Sequence, residues 1–199
     1  MQNASNTPQF MNTAQGFFAV GELLSKSDLP RLYTDLLINS PTTLAASQER
    51  LELSENTTRS CATTLFEIGL AEQTEGEWTV STVSGSWTIE ATIEIGPVVI
   101  AAYGATNVDD DLGRYTDRHG RAALIPAVQA TVDYLKGDLT RRGAAEKLGV
   151  STVEGIAVTQ AIEPIVAVVR DVDPLFRDVL FEVDVHERAL DKAPYHVVN

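Results

Sequence analysis

The feature that most limits what this chain can become is a change of period. Apolar residues recur at three- and four-residue spacing from Phe17 to Ile68, alternate with other residues between Trp78 and Ile95, and return to helical spacing beyond Pro97. The first spacing lines one face of a helix and the second lines one face of a strand. One short alternating stretch between two long helical ones predicts a mainly α chain with a small β element, in the α+β class.

Local signals place the helices. "TAQGFFAVGELL" carries apolar residues at 17, 18, 20, 23 and 24 and reads as an amphipathic first helix. Ser27 is placed to cap the next, with Asp28 and Pro30 in its first turn and Leu29, Leu32, Tyr33, Leu36 and Leu37 on one face. Ser40-Pro41 reads as the start of a short helix with Leu44 and Leu51, and a turn at Glu52-Leu53 leads to a second cap at Ser54. The helix from Glu55 to about Ile68 then divides cleanly. Thr58, Cys61, Ala62, Leu65 and Ile68 fall on one side, Asn56, Arg59, Ser60 and Thr63 on the other. After Gly69, Trp78 and Val80 alternate, Ser84-Gly85 reads as a turn, and Trp87, Ile89, Ala91, Ile93 and Ile95 alternate again. The expected hairpin brings Trp78 and Trp87 together across its strands. Two helices at a tight turn, followed at once by a hairpin, describe a winged helix-turn-helix.

A second such pair lies downstream. Pro97 opens a helix, the acidic "NVDDDLG" follows, and Leu124, Val128, Thr131 and Leu135 share a face after or around Pro126. The acidic run is no EF-hand loop, because a loop starting at Asp109 needs a Glu where Gly120 stands. In "GDLTRRGAAEKLGVSTVEGI", Thr140 is placed to cap a short helix, Gly149 to make the turn, and Ser151 with Glu154 to form a capping box. The helix that follows is very apolar. Leu175 to Phe181 reads as one more short helix. The expected organisation is a disordered tail over 1–14, a winged helix-turn-helix domain over 15–96, a helical domain with the second unit over 97–182, and a polar tail over 183–199.

Composition narrows the chemistry. Cys61 is the single cysteine, and the histidines at 119, 186 and 196 have no metal spacing, so neither a disulfide framework nor a metal site is expected. Gly-rich phosphate loops, nucleophile elbows and His/carboxylate clusters are missing from the sequence, so neither catalysis nor a cofactor is expected. No run reads as approaching the roughly 20 apolar residues that span a bilayer, so no membrane-crossing helix is expected, and the first residues lack a signal-peptide pattern. A cytoplasmic protein is the expectation. The formal charge of -13 opposes phosphate binding, yet with Lys scarce and Asp and Glu abundant the composition is that of proteins adapted to molar salt. There the Debye length is roughly 3 Å, and local charge outweighs the total. Residues 114 to 147 hold seven basic and four acidic side chains, either a phosphate- or partner-facing patch or a set of intramolecular ion pairs.

A reading helix needs hydrogen-bonding side chains near its start. Asn56, Thr57, Arg59, Ser60 and Thr63 meet that need, and Arg141 and Arg142 stand ready beside the second turn. "LSENTTRSCATTLFEIGLAE", together with the Arg118-His119-Gly120 motif and the second unit, resembles winged helix-turn-helix transcriptional regulators of haloarchaea over about residues 25 to 170. The upstream pair departs from the usual pattern at Ser47 and Gln48, where an apolar and a small residue are customary. The resemblance implies sequence-specific binding of double-stranded DNA, commonly as a homodimer and without catalysis. The alternative is an interaction or assembly module in which both helix-turn-helix units only pack helices.

Overall fold

The computed structural model describes residues 14–26, 28–88, 92–183 and 193–197. Residues 1–13 of the tail expected over 1–14, the Ser27 cap, Ile89 and Ala91 of the alternating run and most of the polar segment beyond Val183 lie outside them, and Ala14 already belongs to the first helix. Among the described residues the chain is mainly helical with two small antiparallel hairpins. In chain order the helices are α1 Ala14–Leu23, α2 Asp28–Ile38, α3 Leu44–Leu51, α4 Glu55–Glu67, α5 Pro97–Ala105, α6 Asp110–His119, α7 Leu124–Leu135, α8 Arg141–Lys147 and α9 Thr152–Val169. The strands are β1 Ala71–Thr74, β2 Glu77–Val80, β3 Gly85–Thr88 and β4 Thr92–Ile95.

Three helices, α4, α8 and α9, start where the sequence places a cap. Ser54 Oγ accepts the Thr57 N–H at 3.1 Å, Thr140 Oγ1 that of Gly143 at 3.0 Å, and Ser151 Oγ that of Glu154 at 3.3 Å. The acidic loop before α6 is a cap as well, since Asp109 accepts from Asp111 and Leu112. Helix α3 differs: Thr43, not Ser40, caps it, because Thr42 exchanges both backbone hydrogen bonds with Trp78 at 3.2 and 2.7 Å. On α1, Ala19, Val20 and Leu23 are buried while Phe17 and Phe18 face outward, so the stripe is narrower than its composition suggests.

The hairpins correct the expected one. β2 pairs back onto β1 through Glu75-Gly76, both at positive φ, and β3 pairs with β4, so Trp78 stands opposite Gln73 and Trp87 opposite Ile93. Two consecutive positive-φ residues give the turn a twist that matches its strands. Ser84-Gly85 makes no turn because the preceding segment is tied down. The buried Tyr33 hydroxyl donates to Ser81 O at 3.0 Å and accepts the Val83 N–H at 2.7 Å. No helix forms over 175–181 either. The chain turns there, Asp173 accepts the Leu175 N–H, and Phe176 is tucked in.

One core runs through the whole. Leu32 and Leu36 of α2, Leu65 of α4, Ile100 of α5, Leu124 and Leu135 of α7 and Ile162 of α9 are fully buried in a continuous apolar cluster, each such side chain worth about 1.5–3 kcal/mol. Every residue of α5 is buried. It crosses α2 closely at Gly104, where a Cβ would lie 2.9 Å from the Arg31 backbone nitrogen and 2.5 Å from the Tyr195 hydroxyl. Tyr195, in the segment expected as polar tail, is buried and donates to Ala101 O at 2.8 Å. The segment Thr152–Val172 is, contrary to the expectation for the sequence, long and apolar enough to cross a bilayer by length and composition alone; half of it is buried inside this core.

Candidate nucleic-acid interface

Helix α4 is set by its buried side and by the short helix before it. Thr58, Cys61, Ala62 and Leu65 face the core, as the spacing predicts. Arg50 of α3 grips the fully buried Asp35 of α2 with two hydrogen bonds of 2.7 Å and also donates to Thr42 and Ser47. That bidentate pair fixes α3 against α2, and the left-handed turn at Glu52 (φ 53°) then delivers the chain to Ser54. Neither Arg50 nor Asp35 stands out in the sequence, because a separation of fifteen positions hides the pairing.

The outer side of α4 is polar. Asn56, Arg59, Ser60 and Thr63 are exposed and Thr57 is half-buried. Arg59 pairs with Glu55 one turn back, both side chains about two-thirds exposed at 68% and 69%. An exposed pair at this spacing is worth about 0.3–0.5 kcal/mol, so Arg59 is readily released to a better acceptor. Thr57 Oγ1 shares a hydrogen bond with Ser54 Oγ, and Thr63 Oγ1 donates to Arg59 O. Phe66, further along, is exposed.

The second unit is bound inward. Gly155 of α9 meets Ala145 of α8 so closely that a Cβ would lie 2.7 Å from the Ala145 Cα. Arg141 reaches Glu163, itself buried, at 2.8 Å and lies over the Tyr134 ring at 5.0 Å. Arg142 is exposed and pairs with Glu146. Glu154 does not close the capping box; its carboxylate takes Arg118 and, at 3.1 Å, His119. The Arg118-His119-Gly120 motif therefore fastens α6 to the first turn of α9. The basic stretch resolves almost wholly into ion pairs: Arg114 with Asp111, Lys136 with Asp138 and Lys147 with Asp133 complete the set, leaving Arg121.

A cleft of about 850 Å³ opens beside α4. Asn56, Thr57 and Ser60 form one wall, α6 and Arg121 the other, and the α1–α2 connection closes an end. Cys61 also borders it, with its thiol pushed up to about 11 by burial. The sequence reading missed this cleft, since its walls lie fifty and more residues apart.

A family of unknown function, DUF7437, matches residues 106–171, which run from the end of α5 to the end of α9. No curated protein and no solved structure matches the chain.

Proposed function

We propose that this chain is a sequence-specific DNA-binding transcriptional regulator, a winged helix-turn-helix protein in which α4 enters the major groove. The observation that carries the reading is the build of α4. It is a capped second helix, seated by an apolar face on α2 and α3, with Asn56, Arg59, Ser60 and Thr63 outward and the β1–β2 hairpin directly after it. Arg suits guanine and Asn suits adenine at base edges. The hairpin tip serves as a spacer rather than a phosphate contact, because Glu72, Glu75 and Glu77 make it acidic. We assign Arg141 to packing, since Glu163 holds it, and keep Arg142 as a peripheral contact. A homodimer fits reading of paired half-sites. Helix α5 has no free face for such pairing, whereas α9 keeps Val153 exposed.

Gel shifts against genomic fragments at molar potassium chloride test this. Arg59→Ala is expected to relax preference at one base position per half-site, by about 1–3 kcal/mol. Arg142→Ala should weaken all sequences slightly and equally. The acidic hairpin and exposed Phe66 favour a second reading, an interaction module whose helix pairs only pack. Unaltered binding by both variants, or none by the wild type, would decide for that reading.

A further inference from the structure

Among the described residues every lysine and arginine except two has a carboxylate within salt-bridge distance. In a chain with 28 acidic and 15 basic residues a cation meets an acid readily, so an unpaired one is notable. The two exceptions, Lys26 and Arg121, come from connections ninety-five residues apart, and both line the cleft beside α4. Arg121 is further oriented by the Tyr103 ring, 5.2 Å below its guanidinium carbon, and its Nη2 is shielded from solvent without a hydrogen-bond acceptor. A buried donor without an acceptor is destabilising, and an acceptor entering the cleft would relieve it. Around the cations stand the hydroxyls of Ser25 and Ser60 and the amide of Asn56. Of the two carboxylates on the lining, Asp28 is engaged by Arg31 at 3.6 Å, which leaves Asp117.

We propose that the cleft between α4 and α6 binds a small anionic ligand, a carboxylate- or phosphate-bearing metabolite held by Lys26 and Arg121 and by the polar flank of α4. Its volume lies within the about 300–1,000 Å³ usual for small-molecule sites, and its concave shape suits a compact ligand better than a duplex backbone. Bound there, the ligand touches Asn56, Thr57 and Ser60. Its control of DNA affinity rests on α4 being the reading helix; its binding does not.

Calorimetric titration of the full chain with inorganic phosphate and, separately, with citrate, at constant ionic strength in chloride and without DNA, tests the site. At least one anion is expected to bind saturably. Affinity should fall roughly tenfold or more in Arg121→Gln and vanish in Ser60→Phe, which fills the cleft from an exposed helix position, while Arg177→Gln, an exposed cation off the cleft lining, leaves it unchanged. Circular dichroism confirms that each variant is folded, and Ser60→Phe keeps the test alive if Arg121→Gln is not. Absence of saturable binding by either anion, or equal binding by the cleft variants, overturns the proposal. Should the wild type bind neither anion while Arg121→Gln loses affinity for duplex DNA, the cation pair belongs to the DNA footprint and the small-ligand site falls. Anion binding without any DNA binding would instead uphold the site and remove the regulatory reading.

Discussion

Asp173 shows how one residue can stand in for a missing local signal. Helix α5 begins at Gly96, which has no side chain to cap it, and the cap comes from 75 residues downstream, where Asp173 accepts the Val98 N–H at 2.8 Å. Burial raises its carboxyl pKa from 3.8 to about 6, with the hydrogen bonds from Val98 and Leu175 pulling the other way. A raised pKa means that the contribution to stability is complete below the unfolded value and is lost as pH climbs through the folded one. Between pH 4 and 7 the stability of wild type relative to Asp173→Asn should therefore decline, by on the order of 2–3 kcal/mol, as read from urea midpoints. A pH-independent difference would show that the carboxyl does not titrate in this window. Cys61 gives a second test at this scale: with its thiol held up to about 11, maleimide labelling should be slow in the native protein and fast in denaturant.

At the level of elements, caps and periodicity made α2, α4, α7 and the α8–α9 pair readable. Ser54, Thr140 and Ser151 each act within three residues of the N–H they satisfy, and such local bonds are written locally. Strand pairing was misread because Tyr33, forty-eight residues from Ser81, decides that Ser84-Gly85 will not turn. The candidate reading residues on α4 were legible by face. The fate of the basic stretch was not, since Arg118 finds Glu154 and Arg141 finds Glu163 across 36 and 22 residues. Helix crossings were equally hidden. Gly155→Ala should wedge α8 from α9, costing about 1–3 kcal/mol in chemical denaturation, because the new methyl would sit 2.5 Å from that of Ala145. Gly21→Ala on α1, with nothing within 4 Å, should instead stabilise by about 0.5–1 kcal/mol. Equal effects at the two sites would remove the close crossing as the cause.

For the whole molecule, charge sets the terms of any encounter with DNA. The formal charge is -13, and Arg59 is the single basic residue on α4. Each phosphate neutralised contributes a slope of about -0.9 to log K against log salt, so the proposed complex should show only about -1 to -2 per protomer. A steep slope in gel shifts across a potassium chloride series would mean that more cations reach phosphate than the fold offers. The fold is also closed from its far end. Tyr195 seals the crossing of α2 and α5, so Tyr195→Ala should cost about 3 kcal/mol and lower the melting temperature. During vectorial synthesis this phenol emerges after every helix it secures, and a nascent chain halted before residue 193 has the α2–α5 seam open. Arrested ribosome complexes should remain sensitive to protease at that seam until residue 195 has cleared the exit tunnel, which ties the closing of the core to the synthesis of one late segment.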